Sequence, residues 1–358
     1  MALSKVQIQQ IRDHLDSCKK PLFFFDDDQD GLCSFLQLYR YKKEGKGIIV
    51  KTTPKLGSIF VAKVHEYNPD KIFILDLAVV EQDFLDEMKV PVIWIDHHGP
   101  FERSNVKYFN PRISNWEDNH PTSYMCHQVV QQESKASDAS HRSYLWIAAI
   151  GCVADWFIPP FLDEFKKEFP ELIEKPYKFP GDIIYNSMLG HLIRIFSFVL
   201  KGKMNDVMKC IKILTRIESP YEILNQETAQ GKFIYKRYEQ ANKMYEPLLE
   251  DVMKTAEKTG DKLVVFDYKD DKTSFTSDLS NEAIYRHPDK IILIAREKND
   301  EMKCSLRSSK VVLPPLIEKA LVGFDGYGGG HEHACGLNVK SHHFEEFVRR
   351  FRGMFMMN

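Results

Sequence analysis

Six aspartates and two histidines in the first half of the sequence stand where chemistry can be done. Asp26, Asp28 and Asp30 follow the apolar run Leu22 to Phe25, in the string Asp26-Asp27-Asp28-Gln29-Asp30-Gly31. Asp76 follows Phe73-Ile74-Leu75, Asp96-His97-His98-Gly99 follows Val92 to Ile95, and Asp155 closes the apolar stretch Leu145 to Ala154. Carboxylates gathered at one place repel strongly, and protonating most of them is a poor remedy at neutral pH. Bound cations solve the problem. Oxygen ligands with one or two imidazoles and no thiolate suit Mn2+ or Mg2+ better than structural zinc. With more ligands than one ion needs, two ions sharing a bridging carboxylate follow, the arrangement that generates hydroxide and clamps a phosphoryl group. A single Asp after a strand is ordinarily a turn former or helix cap. Asp27 keeps that reading, because strand-like alternation points it away from its neighbours. Recurrence at four element ends carries the metal reading.

The elements that would position these residues alternate in type. Leu22 to Phe25, Ile48 to Val50, Ile72 to Leu75 and Val92 to Ile95 read as short strands buried on both faces. Helical stretches at Val6 to Leu15, Leu32 to Lys43, Ile59 to Tyr67 and Glu81 to Met88 precede or separate them. That rhythm predicts an α/β fold with a parallel sheet, whose strand carboxyl ends share one edge where ligands bind. A Ser- and Asp-rich stretch, Glu133 to Arg142, reads as a mobile loop, followed by a helix over Tyr144 to Ala154. Residues 161–258 turn helical and read as a connector or insert. Strands then resume at Lys262 to Phe266, Lys290 to Ala295 and Met302 to Leu306. A Gly-rich turn (Gly323 to His331), a short strand near Val339 and a basic helix, Phe344 to Arg352, complete the chain. The expected domains are therefore 1–160, 161–258 and 259–358, the last a smaller α/β unit.

Composition sets the outer limits. A length of 358 residues suits two domains, and 24 Phe, 15 Tyr and 4 Trp exclude a disordered chain. The longest apolar run is broken by Asp155 and Pro159-Pro160, which argues against a spanning helix, and the first residues lack the pattern of a signal peptide. Seven scattered cysteines without a C-x-x-C pair argue against a disulfide framework and for a reducing, cytoplasmic setting. A net charge of -2 excludes a basic nucleic-acid coat but leaves room for a local phosphate site.

The far end supplies such a site. In Gly326-Tyr327-Gly328-Gly329-Gly330-His331 the backbone can approach an anion closely, since glycine removes the side chain and permits a nest of N–H groups. Period-two alternation puts Ser305, Arg307 and Ser309 on one face, a guanidinium fork flanked by hydroxyls. Asn281 is a weaker candidate in a segment better suited to helix capping, His333 reads as structural, and Tyr327 is a stacking candidate. The basic side chains of the end helix read as a solvated face.

These residues resemble the DHH phosphoesterases, the family named for its Asp-His-His triplet. The string from Asp26 to Gly31 matches the first family motif in its RecJ-like form, Asp76 the second, Asp96-His97-His98 the third and Ala154-Asp155 the fourth. Gly328-Gly329-Gly330-His331, with Ala334 and Gly336, resembles the signature of the associated C-terminal domain. The resemblance implies one Mn2+ on Asp26, Asp28 and Asp76 and a second on Asp30, Asp76, His97 and Asp155, with Mg2+ as the alternative. His98 would approach the scissile phosphate or leaving oxygen, and Asp96 would orient the histidines. His331 would contact the cleaved phosphate and Arg307 its neighbour, with the site between two domains. An Asp at position 26, where many relatives carry His, favours Mn2+ or Mg2+ over softer ions.

The expected activity is metal-dependent hydrolysis of single-stranded RNA or DNA, or of short oligonucleotides, to nucleoside monophosphates, as in RecJ-like exonucleases and nanoRNases. Cyclic-dinucleotide hydrolysis is the enzymatic alternative. A Cdc45-like replication scaffold is the alternative of another class, which the complete metal set argues against. A second copy of the chain or a replication or repair protein is the expected protein partner, and no membrane is expected.

Overall fold

The computed structural model describes residues 2–51, 55–131, 139–270 and 273–355. They fall into two compact units, Met1–Leu200 with Met204–Tyr238, and Lys201–Lys203 with Glu239–Asn358. The helical block expected as a connector is thus not set apart as a unit of its own. No helix among the described residues is long and apolar enough to cross a membrane.

The first unit runs α1 (Lys5–Asp16), β1 (Pro21–Asp26), α2 (Gln29–Lys42), β2 (Lys46–Val50), β3 (Lys55–Leu56), α3 (Val61–Tyr67), β4 (Lys71–Leu75), β5 (Val79–Val80), α4 (Gln82–Asp86), β6 (Val92–Ile95), β7 (Lys107–Phe109), α5 (Thr122–Val130) and α6 (Ala139–Ala154). Five strands form one sheet in the order β2-β1-β4-β6-β7, parallel at every pairing. The Phe run of β1 shows why its residues are apolar without alternation. Phe23 stacks on Phe73 with ring centroids 5.3 Å apart and meets Phe35 of α2, whereas Phe24 points the other way to Phe60 and Phe84. Both faces are covered, as a parallel sheet requires. The sequence reading missed β7 and α5. Three residues are too few for a periodicity to register, and α5 is buried on most of its surface, so its apolar residues trace no single stripe. Of the expected loop Glu133 to Arg142, residues 133–138 lie outside the described residues, and 139–142 are already helical in α6.

The block that follows is helical as its pattern predicts, with α7 (Leu162–Glu168), α8 (Pro180–Asn186), α9 (Met188–Val199), α10 (Met204–Leu214), α11 (Pro220–Leu224) and α12 (Ala229–Lys258). Leu189, Leu192, Ile193, Phe196 and Val199 are buried on α9, and Phe196 meets Trp146 of α6 edge to face at 5.9 Å. Arg40 of α2 donates to the carbonyls of Leu214 and Ile217 at the end of α10. Helices of this block therefore pack on the helical layer of the sheet.

The second unit continues with β8 (Leu263–Lys269), α13 (Thr276–Arg286), β9 (Ile291–Lys298), β10 (Glu301–Ser308), α14 (Pro314–Leu321), β11 (Gly326–His331), β12 (Ala334–Lys340) and α15 (Phe344–Gly353). Its sheet is mixed, in the order β11-β12-β10-β9-β8, with β8 and β9 parallel and the other pairs antiparallel. Asn299 and Asp300, both with positive φ, make the tight turn between β9 and β10. Leu293, Leu306, Leu337, Ile317 and Phe347 anchor the core beneath α14 and α15.

The glycine run is an edge strand rather than the turn expected from its composition. β11 pairs with β12 through Gly328 opposite Leu337 and Gly330 opposite Cys335, and the chain reverses at Glu332-His333. Bulk explains the glycines: a Cβ on Gly328 would lie 2.7 Å from the Leu337 side chain, and one on Gly330 2.5 Å from the Ala334 carbonyl. An extended backbone presents its N–H groups alternately, so the run is not a nest of consecutive donors.

Candidate metal centre

The carboxyl ends of β1, β4 and β6 bring the acidic residues together as the parallel sheet predicts. Donor atoms of Asp26, Asp28 and Asp76 lie within 4.8 Å of one another, as do those of Asp30, His97 and Asp155, and those of Asp76, His97 and His98. Asp28 is the N-cap of α2, its carboxylate accepting from the Gly31 N–H at 2.9 Å. Capping and clustering coexist in one side chain. Gly31 is needed because a Cβ there would sit 2.7 Å from the Asp26 nitrogen. Asp30, buried in the first turn of α2, accepts from the Thr122 and Ser123 N–H groups at the start of α5, both at 2.8 Å. Asp76 takes a left-handed backbone, φ 61°, which costs a non-glycine residue about 1–2 kcal/mol. Its N–H donates to the Ile95 carbonyl and its carboxylate accepts from the Thr122 hydroxyl at 3.0 Å.

Each histidine has its tautomer set by a neighbour. Asn119 Oδ1 takes a donor from Arg112 Nη2 at 2.6 Å and faces His97 Nδ1 at 3.1 Å. An amide oxygen only accepts, so His97 carries its proton on Nδ1. Its Nε2 then presents a lone pair to Asp76, 3.4 Å away, and Asp155, 3.7 Å away. His98 Nδ1 donates to Asp96 Oδ1 at 2.8 Å. The other Asp96 oxygen accepts from the His98 N–H, the Tyr108 hydroxyl and the Asn110 amide. Asp96 is thus saturated by protein donors and holds His98, while the His97 ring is held by Asn119.

The charges agree with a cation site. Burial first, and then neighbouring carboxylates, push the Asp26, Asp76 and Asp155 acids well above the ordinary range. The low-polarity surroundings of its carboxylate, and then Asp30, push Asp28 up to about 6, although much of the residue is exposed. Burial lowers His97, favouring the neutral ligand form. For His98 burial opposes protonation, but the hydrogen bond and charge of Asp96 outweigh it and the pKa is raised. Cys33 and Cys152 are buried with their thiols pushed well up, so they stay protonated. All seven cysteines are free. Carboxylate oxygens with a neutral imidazole and no thiolate fit hard divalent cations.

Asn119, Thr122, Arg112, Asn110 and Tyr108 were not found from sequence. They lie on β7, the loop after it and the start of α5, the elements the pattern missed. The one available signal was Asn110-Pro111 at a strand end, a turn marker.

In the second unit, Arg307 on β10 donates from Nε to Asn281 Oδ1 at 2.6 Å and from Nη1 to the Leu306 and Cys335 carbonyls. Asn281 is inside α13 and orients the guanidinium. Ser305 bonds to Thr276, and Ser309 lies beyond the end of β10. Gly328, Gly329, Gly330 and His331 lie exposed on β11, as does Tyr327. His333 Nδ1 contacts the Val311 carbonyl at 3.0 Å, a structural role. The basic residues of the last helix are paired: Arg349 and Arg350 with Glu346, Arg352 with Asp261.

A parallel sheet with a carboxylate and imidazole centre at its carboxyl edge, joined to a mixed-sheet unit presenting arginine, histidine and a glycine strand, defines a two-domain α/β protein with a divalent-cation site. Residues 22–152 match the model of the DHH family N-terminal domain, and 252–356 that of the DHHA1 domain. The chain belongs to the DHH family of phosphoesterases. No curated protein matches it by sequence. Among solved structures, RecJ of Thermus thermophilus in complex with Mn2+ is similar at 13% identity and a TM-score of 0.68, over 99% of this chain and 55% of that one. This chain therefore spans about half of that relative. An exonuclease RecJ bound to manganese is similar at 14% identity and a TM-score of 0.61, over 100% and 96% of the two chains. The DHH domain of a member of a ribosomal-protein family is similar at 14% and 0.68, over 98% and 90%. These are likenesses of fold.

Proposed function

We propose that this chain is a Mn2+-dependent phosphodiesterase that hydrolyses single-stranded nucleic acid or short oligonucleotides to nucleoside monophosphates. The observation that carries the reading is the convergence of Asp26, Asp28 and Asp76 beside Asp30, His97 and Asp155. In this reading Asp26, Asp28 and Asp76 hold one cation, and Asp30, Asp76, His97 and Asp155 the other. Such a pair of ions, when bound, supplies hydroxide at neutral pH and stabilises charge on the phosphoryl oxygens. The solved RecJ structures with Mn2+ and with Mg2+ support these ions as candidates.

The chain's own groups do the rest. Asn119 keeps the His97 lone pair on Nε2, aimed at the carboxylates. Asp96 holds His98 protonated and fixes its ring, so that His98 carries a proton to the scissile phosphate or leaving oxygen. Arg307, steadied by Asn281, grips a phosphate of the strand with its fork. Gly328, Gly329 and Gly330 let that strand approach the backbone, and His331 contacts the phosphate being cleaved. The test is a panel of end-labelled RNA and DNA, from dinucleotides to about thirty nucleotides, with cyclic dinucleotides, in Mn2+, Mg2+ or chelator. Release of mononucleotides only with metal is the expected result. Absence of cleavage of every substrate overturns the reading, and cleavage confined to cyclic dinucleotides replaces its substrate.

A further inference from the structure

The loop after β7 holds a large aromatic ring in water beside the metal-ligand cluster. Trp116 is 62% exposed. Its ring edge lies 3.8 Å from where a Cβ would stand on Gly99, the residue after His98. The loop is firmly built: Asn115 N–H donates to the Pro111 carbonyl at 3.0 Å, Glu117 N–H to the Asn115 side chain at 3.2 Å, and Asp118 N–H to the Asn115 carbonyl at 2.9 Å. Arg112 sits over the indole, 5.7 Å from its centroid. The same guanidinium holds Asn119, the acceptor for His97. One cation thus ties the exposed ring to an imidazole of the cluster. A second exposed indole, Trp156, directly follows Asp155 in a left-handed conformation, φ 59°, that a bulky residue rarely adopts.

We infer that Trp116, steadied by Arg112, is a stacking platform for an unpaired nucleobase of the strand whose phosphodiester is cleaved; the inference rests on the function proposed above. Every base has a π face, so an indole platform tolerates any sequence while requiring that the base be unstacked from its own strand. A neighbouring guanidinium suits a polyanionic occupant. A single ring with one cation is too small a patch for a stable protein interface. The position supplies what the carboxylate cluster lacks, since carboxylates and their ions read phosphate but not base. Trp116 is therefore a specificity residue that separates base-bearing single strands from base-free phosphodiesters.

The experiment uses the full chain, wild type, Trp116→Ala and Trp116→Phe, with short strands carrying 2-aminopurine at successive positions and matched strands with an abasic residue at the same positions. In wild type, 2-aminopurine fluorescence is expected to be quenched at one position. That quenching should disappear in Trp116→Ala and return in part in Trp116→Phe. KM for the base-bearing strand should rise about tenfold or more in Trp116→Ala, abolishing the preference over the abasic strand. Unaltered quenching and an unaltered preference in Trp116→Ala overturn the inference, as does a change in self-association in its place. The quenching is read as binding, so a chain that cleaves nothing would refute the proposed function and leave the platform separately tested. Melting of each variant confirms folding, since the ring is exposed.

Discussion

Asn119 accepts from Nδ1 of His97 at 3.1 Å, and this one bond decides which imidazole nitrogen faces Asp76 and Asp155. The residue touches no carboxylate of the cluster itself, yet it sets whether a lone pair or a proton points inward. Replacing Asn119 with Ala frees the ring and both tautomers, and outer partners of this kind are worth about 10–100-fold in metal affinity. Titration calorimetry with Mn2+ should show a loss of that size for Asn119→Ala and a smaller one for Asn119→Asp, which retains an acceptor. Equal affinity in Asn119→Ala and wild type would remove the orienting role.

Asp76 is held in a left-handed backbone inside a crowd of carboxylates. In the absence of cations both features oppose folding, the first through its Cβ and the second through repulsion. Asp76→Gly relieves both, and Asp76→Ala relieves the charge alone. The cation-free protein should therefore melt higher as Asp76→Gly than as Asp76→Ala, by about 1 kcal/mol or roughly 2–4 °C for a domain of this size. The wild type is expected to melt higher with Mn2+, and neither variant should keep that full rise. If Asp76→Gly melts no higher than Asp76→Ala without metal, the strain account fails.

The strand ends were legible because buried parallel strands leave an unmistakable run of apolar residues, and in β1, β4 and β6 that run closes on an Asp. Asp26, Asp76 and Asp96 could be placed on one edge from that pattern alone. The partners of those residues could not. Asn119 and Thr122 act through loop geometry and a helix start, which leave no period in the sequence, and Asp30 reaches Thr122 and Ser123 across about ninety positions. In the second unit Arg307 was placed by alternation, but the glycine run looked like a turn. Glycine is chosen there for the room it leaves against Leu337 and Ala334, a tertiary reason that composition does not display.

Cation-free stability should fall as pH rises. An unfolded Asp releases its proton near 3.9, whereas Asp28 does so at about 6, and Asp26, Asp76 and Asp155 are also raised. Between those values the folded chain binds more protons than the unfolded one, so the slope of stability against pH is negative. His14, His97 and His191, all lowered by burial, act in the opposite sense, whereas His98, raised by Asp96, acts with the four carboxylates. Melting without metal should drop from pH 5 to pH 8, and the gap to the Mn2+-loaded protein should widen over the same range. A cation-free melting temperature that stays level or climbs would contradict the clustered arrangement.

Arg307 tests the division of labour in the second unit. Its guanidinium is fixed by Asn281 through Nε and by two backbone carbonyls through Nη1. Lysine keeps the charge but has no planar fork, so Arg307→Lys cannot reproduce both the internal bonds and a grip on phosphate. Hydrogen bonds to a charged group are worth about 1.5–3 kcal/mol, so kcat/KM for a dinucleotide should fall by roughly 10–100-fold. Asn281→Ala leaves the charge in place and loosens its aim, and its effect should be smaller and carried mainly by KM. Metal binding, read by calorimetry, should be untouched in both, because the proposed cation ligands lie on other elements. A variant of Arg307 that loses Mn2+ affinity instead would show that the residue supports the metal centre, and would end its assignment as a phosphate grip.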